Sequence, residues 1–317
     1  MFTAIKRFLV ENQIVIVLVG LLAGLFYPEL FKPFHSWNTF MLQLIFFLSA
    51  LRIDINDLKK YTLDWKMNLL AAFFMLVFLP VAVYLPLKYF APHWALAFLI
   101  ALAGPTGMTI ALVADFFHGK TSLALVISVV TSILAPFTMP IVFQIFAGAE
   151  VHIHAIFMLR ELATAILIPF ILAYIVSRLV PKLVARGSSI WRTVSVMIFG
   201  LLIASIVSKT AVVASDPAAL HLSLKTFVVL MITFFYIAFL VWISYRMIYW
   251  RNVSERITIA LCMMYMNFTL ALYVGDQFFS EQKVVPQLVV IVLLLDVMLP
   301  FLKVMAGRVV ENEMNKK

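Results

Sequence analysis

"AGPTGMTIALVADFFHG", residues 103–119, begins inside a run from Ala91 to Val113 that is long and apolar enough to cross a bilayer. Gly104-Pro105-Thr106-Gly107 sits near the middle of that run. Proline lacks the donor that a helix interior needs, and glycine loses the most entropy by staying helical, so these residues break a helix. In hydrocarbon each backbone group left unpaired costs several kcal/mol. Such backbone persists at membrane depth only where protein buries it or a wet cavity meets it. The stretch therefore predicts two half-helices that meet inside a polytopic membrane protein.

Composition supports the membrane. Of 317 residues, 64% are hydrophobic and only 12% are charged, against roughly 45–50% and 25% in soluble domains. The apolar runs are joined by short polar loops, and none of these is long enough for a soluble domain. The single cysteine, Cys262, excludes an internal disulfide and any multi-cysteine metal site. Lys6-Arg7 ahead of an apolar stretch imitates a signal peptide, but Glu11, Asn12 and Gln13 interrupt it and no small-residue cleavage pattern follows. A retained first helix is expected.

Runs of about 20 apolar residues give ten spans, near 13–29, 38–52, 67–87, 92–115, 121–147, 155–177, 190–212, 224–245, 256–279 and 285–304. Alternating sides puts Lys6, Arg7, Arg52, Lys59, Lys60, Lys66, Lys120, Arg178, Lys182, Arg186, Arg192, Arg246, Arg251, Arg256 and the basic residues from Lys303 onward together. The other side holds Lys32, Lys88, Lys209, Lys225 and Lys283, with Arg160 near a span start. The positive-inside rule then places both termini in the cytoplasm and the protein in the cell membrane. The same asymmetry accounts for the net charge of +9, 24 basic against 15 acidic residues, without nucleic acid as a partner.

An even span count with five spans per half describes an inverted repeat, residues 1–150 and 151–317. "MTIALVADFF" (108–117) in span four resembles "FTLALYVGDQFF" (268–279) in span nine, and "LAPF" (134–137) in span five matches "MLPF" (298–301) in span ten. Span nine has no Gly or Pro at the corresponding place, but "MMYMNFT" (263–269) sets Asn267 and Thr269 mid-span, where they can start a second half-helix. Inverted repeats with an interrupted helix in each half are a construction of secondary transporters. Half-helix N-termini at membrane depth point N–H groups and dipoles at anionic ligands.

These stretches resemble the bile acid:sodium symporter family. Pro105-Thr106-Gly107, Gly119, then Ser132-Ile133-Leu134-Ala135-Pro136 and Pro140 follow the family's break in span four and its span-five segment. From Pro105 to Pro136 the spacing matches without a gap. "FFLSALRIDINDLKKY" (46–61) is similar to the family's span-two end and loop, and span nine matches through Asn267 and Leu270-Ala271. The resemblance implies a panel domain of spans one, two, six and seven, and a core domain of three to five and eight to ten. The broken spans four and nine would cross within that core. It also implies an organic anion as substrate, of the bile-salt, pantoate or keto-acid kind, carried inward with sodium by alternating access.

This chain departs from the family at the ion ligands that the resemblance implies. The Ser-Asn pair after the break falls on Ile110 and Ala111. The span-five Ser and Thr fall on Ala124 and Ser128. The span-nine Glu and Gln fall on Cys262 and Met266, and the span-three Gln on Met75. Only Ser128 and Asn267 keep a suitable side chain. Sodium is a hard cation that wants several oxygens, so the fold is expected to transfer and the usual sodium sites are not. No cofactor or metal is expected, and protons remain a candidate coupling ion.

Ionisable residues at membrane depth are functional candidates by default. Asp296, in "VVIVLLLDVMLPF" (289–301), is the deepest. It either takes up a proton during transport or ties span ten to a neighbour. Asp115 closes span four beside His118, as a solvated acid or a coupling group, and Ser128 is a third coupling candidate. Asp276 and Gln277 are placed near the outer surface without a role. Thr106, Gly107, Thr109, Asn267 and Thr269 flank the breaks, as substrate contacts or as caps and interhelical hydrogen bonds. Gln43 holds a neighbouring helix or lines a cavity, and Arg160-Glu161 forms an interfacial pair or takes part in gating. "HIH" (152–154) points its two rings to different helix faces with no third ligand near, so metal binding is not expected.

The sequence thus describes an all-α membrane protein of ten spans in a 5+5 inverted repeat with broken helices four and nine. The reading is a secondary transporter of a small organic anion, not coupled to sodium in the usual family way. The alternatives are a symporter with shifted ion sites, a channel, or a membrane-embedded enzyme. An enzyme would need clustered catalytic groups where the sequence offers scattered single acids, and a monomer is consistent with the pattern.

Overall fold

A computed structural model describes residues 13–51, 61, 63–107, 110–148, 154–214 and 224–295. Among them the chain is helical, with one isolated β-bridge. The helices are α1 (Gln13–Phe26), α2 (Asn38–Ala50), α3 (Trp65–Phe90), α4 (Pro92–Leu102), α5 (Ile110–Phe116) and α6 (Thr121–Phe146). They continue as α7 (Ala155–Leu179), α8 (Pro181–Ala214), α9 (Leu224–Met247), α10 (Val253–Met264), α11 (Phe268–Phe278) and α12 (Val285–Leu295). A short turn of helix, Pro28–Phe31, and a 3-10 segment, Lys32–Trp37, join α1 to α2. Among the described residues five segments are long and apolar enough to cross a membrane: α3, α6, α7, residues Ile190–Lys209 of α8, and α9.

Local signals start and bend these helices. Asp64 caps α3 by accepting the N–H of Met67 at 3.4 Å, and Asn252 caps α10 by accepting that of Glu255 at 3.0 Å. Pro92 and Pro181 open α4 and α8, where a missing N–H costs nothing. The start at Pro181 lies ahead of the apolar stretch expected from 190. Lys182 and Arg186 lie in this helical lead, whose first residues need no hydrophobicity. Within α3, Phe74–Phe78 is wound as a π-turn, with the N–H of Leu79 on the carbonyl of Phe74. Pro80 follows at once and has no N–H to give the carbonyl four residues back, so a local widening is the expected accommodation.

Two compact units emerge. The first gathers α1, α2, α7, α8 and Thr269–Pro286; the second gathers α3 to α6, α9, α10 and the chain from Gln287. The units therefore do not follow the halves 1–150 and 151–317. The first brings together spans one, two, six and seven, and it also takes Thr269–Pro286, which runs from span nine to the start of span ten.

In the first unit α8 lies along α1, and both α7 and α8 pack on α2. Gly20 and Gly24 bring α1 against Gly200 and Ala204 of α8. A Cβ on Gly24 would sit 2.5 Å from the carbonyl oxygen of Ala204. Between lipid-immersed helices, small residues at this four-residue spacing replace the hydrophobic effect with close van der Waals contact. Helix α7 shows the membrane pattern on its two faces. Leu162, Ala165, Ile166, Pro169 and Ala173 are buried, while Ile168, Ile171, Leu172 and Ile175 are exposed. In the second unit α6 packs against α3, α5 and α10, and α9 against α10. Its buried stripe, Ala124, Ile127, Ser128, Thr131, Ala135 and Met139, faces the interrupted helices.

Candidate functional site

The predicted break is present. Helix α4 ends at Leu102, α5 begins at Ile110, and Gly104–Gly107 between them is not helical. The second interruption separates α10 from α11 at Tyr265–Asn267. The two extended segments cross and pair as an antiparallel bridge between Thr106 and Met266. Gly107 donates its N–H to the carbonyl of Tyr265 at 2.7 Å, and Asn267 donates to the carbonyl of Pro105 at 2.7 Å. Each break thus satisfies backbone groups that the other leaves open, so neither is stranded in the low dielectric.

Thr106 is the centre of the crossing and is fully buried. Its N–H meets Thr131 Oγ1 at 3.3 Å, and its carbonyl accepts from Ser128 Oγ at 3.5 Å. Its hydroxyl faces the carbonyl of Cys262 at 3.4 Å and Met75 Sδ at 3.7 Å. Met75 lies in the π-turn of α3. Met75, Cys262 and Met266 are all buried. They occupy the positions where the family resemblance implies Gln, Glu and Gln, and Met75 Sδ, 3.7 Å from the Thr106 hydroxyl, stands where that resemblance implies a hard oxygen. Gly107 is required by closeness, because a Cβ there would stand 2.7 Å from the Tyr265 ring. Gly104 carries no such demand: its nearest neighbour would be 3.7 Å away.

The other candidates disperse. Asn267 is buried at the end of the second break, and Thr269 is buried just inside α11, in the first unit. Ser128 is buried on α6 beside Thr106, whereas Asp115 is exposed near the end of α5. That end is closed by His118 in the left-handed region, φ 59°, with the Gly119 N–H on the carbonyl of Ala114 at 2.7 Å. Gln43 donates to the Thr164 carbonyl at 3.5 Å, joining α2 to α7. Thr109, Asp296 and residues 152 and 153 of "HIH" lie outside the described residues.

A second polar cluster, within the first unit, was not legible in the sequence. Asp276 of α11 is buried and ion-paired with Lys209 of α8 at 2.7 Å. Asn38, at the start of α2, reaches Asp276 at 3.5 Å and accepts from Ser205 Oγ at 2.7 Å. Ser208 donates to the Ser205 carbonyl, so its oxygen is left to accept from His35 Nε2 at 2.7 Å. Thr39 and Tyr273 hydroxyls meet at 3.0 Å. Burial first, and then the charge of Lys209, hold His35 below the ordinary histidine value. Nothing in the local sequence around Asp276 names Lys209 or Asn38. The one available signal was a lysine and an aspartate at the ends of apolar spans.

Two interrupted helices that cross at a buried threonine, in a chain that is helical among its described residues, are a construction found in secondary transporters. The model of the SBF-like CPA transporter family (DUF4137) matches residues 7–315, and the chain belongs to that family. It is also 24% identical over 264 residues to a protein named Sodium/bile acid cotransporter 7 from Danio rerio. That match covers 80% of this chain and 76% of the relative. The protein is therefore a membrane transporter of a small molecule and not an enzyme.

Proposed function

We propose that the protein carries a small organic anion across the cytoplasmic membrane by alternating access, without sodium at the family's usual sites. The observation that carries this reading is the crossing. Its backbone interruption is kept, while Met75, Cys262, Met266, Ile110 and Ala124 present sulfur and hydrocarbon where a hard cation would need oxygen. The interruptions are of the inverted-repeat kind, with five spans per half and both termini in the cytoplasm, as the basic residues distribute. Residues that flank the breaks in sequence, Thr106, Gly107, Thr109, Asn267 and Thr269, are the substrate contacts in this reading. Asp296, Asp115 and Ser128 are the coupling candidates, with a proton as the coupled ion.

The test is uptake into proteoliposomes of a bile salt, pantoate and a small keto acid, under sodium, choline and pH gradients. At least one anion is expected to accumulate equally in sodium and in choline, and Asp296→Asn is expected to remove the dependence on pH. Uptake that stops in choline would refute the sodium claim. Failure of every anion under every gradient would overturn the substrate class.

A further inference from the structure

We propose that a small cavity at the cytoplasmic end of the second unit binds one monovalent metal cation, sodium or potassium. Tyr61, Asp64, Asn68, Arg251 and Glu255 line it, over a floor of Met67, Leu123 and Ile259. Four places in the chain converge there: the residues that open α3, the start of α6, the loop after α9, and the first two turns of α10.

The partners of each polar atom define what is missing. Asp64 is provided for: one oxygen caps α3 at Met67, and the other pairs closely with Arg251 Nη2. Glu255 is buried, yet among the described residues its oxygens reach only the Tyr61 hydroxyl at 3.4 Å and Arg251 Nη1 at 3.5 Å. Charge-assisted contacts normally close to about 2.7–2.9 Å. Asn68 is 5% exposed. Its amide nitrogen is committed to the Tyr61 carbonyl at 2.8 Å, which fixes the amide's orientation, and its Oδ1 has no donor among the described residues. A buried acceptor without a donor and a buried carboxylate with only distant ones therefore face the same space.

Charge decides between a cation and a neutral molecule. Among the described residues that line the cavity, Asp64 and Glu255 bring two negative charges and Arg251 one positive, a net charge of −1 that is about two thirds or more removed from water. A cation makes it neutral, and the oxygens on offer (carboxylate, amide and phenol) are hard ligands of the kind that group-one ions take. Burial, and then the charge of Glu255, raise the Tyr61 hydroxyl above the ordinary tyrosine value. Tyr61 thus remains a neutral lone-pair donor rather than a third anion. Arg251 Nε, also buried, has no acceptor among the described residues. The location differs from the crossing, where the corresponding positions offer sulfur.

Binding is read on the resting protein, so it stands or falls separately from anion transport. The experiment is thermal unfolding of the purified full-length chain in chloride salts of sodium, potassium and choline at equal ionic strength. At least one metal cation is expected to raise Tm by about 2–4 °C over choline. Asn68→Leu and Glu255→Gln should each abolish the difference, and Ser128→Ala, at the crossing, should keep it. If Asn68→Leu does not yield folded protein, Glu255→Gln alone carries the test. Equal melting in all three salts would show that the cavity holds only water, and the proposal would fall. A cation effect that survives Glu255→Gln, or disappears in Ser128→Ala, would place the ion elsewhere and overturn it equally.

Discussion

The crossing around Thr106 and the cluster around Asp276 solve the same problem in opposite ways. Both bury polar groups in a protein whose solvent is largely lipid. At the crossing the groups are backbone, and the remedy is a second stretch of backbone aligned against the first. At Asp276 they are side chains, and the remedy is a lysine, an asparagine and a run of hydroxyls from separate helices. The first arrangement tolerates little displacement, because a bridge two hydrogen bonds wide needs both strands within ordinary bonding distance. The second can lose a member and still keep part of its network. The crossing is thus the more brittle of the two.

Gly107→Ala should show the largest effect. The added methyl meets the Tyr265 ring and the Met266 carbonyl, and overpacking of this kind costs about 1–3 kcal/mol. A clear drop in Tm is expected, while Gly104→Ala, with open space at 3.7 Å, should melt close to the parent. Equal losses in the two variants would mean that the break depends on glycine flexibility and not on close approach.

Asp276→Asn ranks next. It leaves the Lys209 ammonium without its anion. Breaking a buried pair costs about 3–5 kcal/mol, and since a third of the Lys209 side chain meets solvent, roughly 1–2 kcal/mol is the expected loss after that discount. Lys209→Met in the Asp276→Asn background should recover part of it, as a double-mutant cycle would show. A fully additive cycle would show that the two residues act independently.

His35 supplies the smallest effect. Its folded-state value is depressed, so the unfolded chain binds the proton more readily. The stability it contributes is complete above the ordinary histidine value of 6.5 and diminishes as pH falls below it. His35→Gln should flatten the decline in Tm between neutral and mildly acidic pH. An unchanged slope would assign that decline to other groups.

The same contrast explains what the sequence could reveal. Gly104-Pro105-Thr106-Gly107 announced its break because proline and glycine act on their own backbone, and the apolar runs set the helices that flank it. Asn267 marked the second break by a single polar residue among methionines. What local pattern did not carry was pairing across the chain: Thr106 with Met266, Asp276 with Lys209, Arg251 with Asp64. Each joins residues that only folding brings together, and an isolated Asp276 near a span end reads as a surface acid until Lys209 is beside it. Helix ends were also blurred, as at Pro181, where the helix outruns the apolar segment because hydropathy records the membrane and not the hydrogen bonds.

The paired breaks also set an order of assembly. When α4 and α5 leave the ribosome, the carbonyl of Pro105 and the N–H of Gly107 have no partner, since Tyr265 and Asn267 belong to chain not yet made. The fourth span therefore cannot settle into lipid by itself. It must wait in a wet or protein-lined place until about three quarters of the remaining chain has been synthesised, and a truncation before residue 265 should leave it exposed to proteolysis.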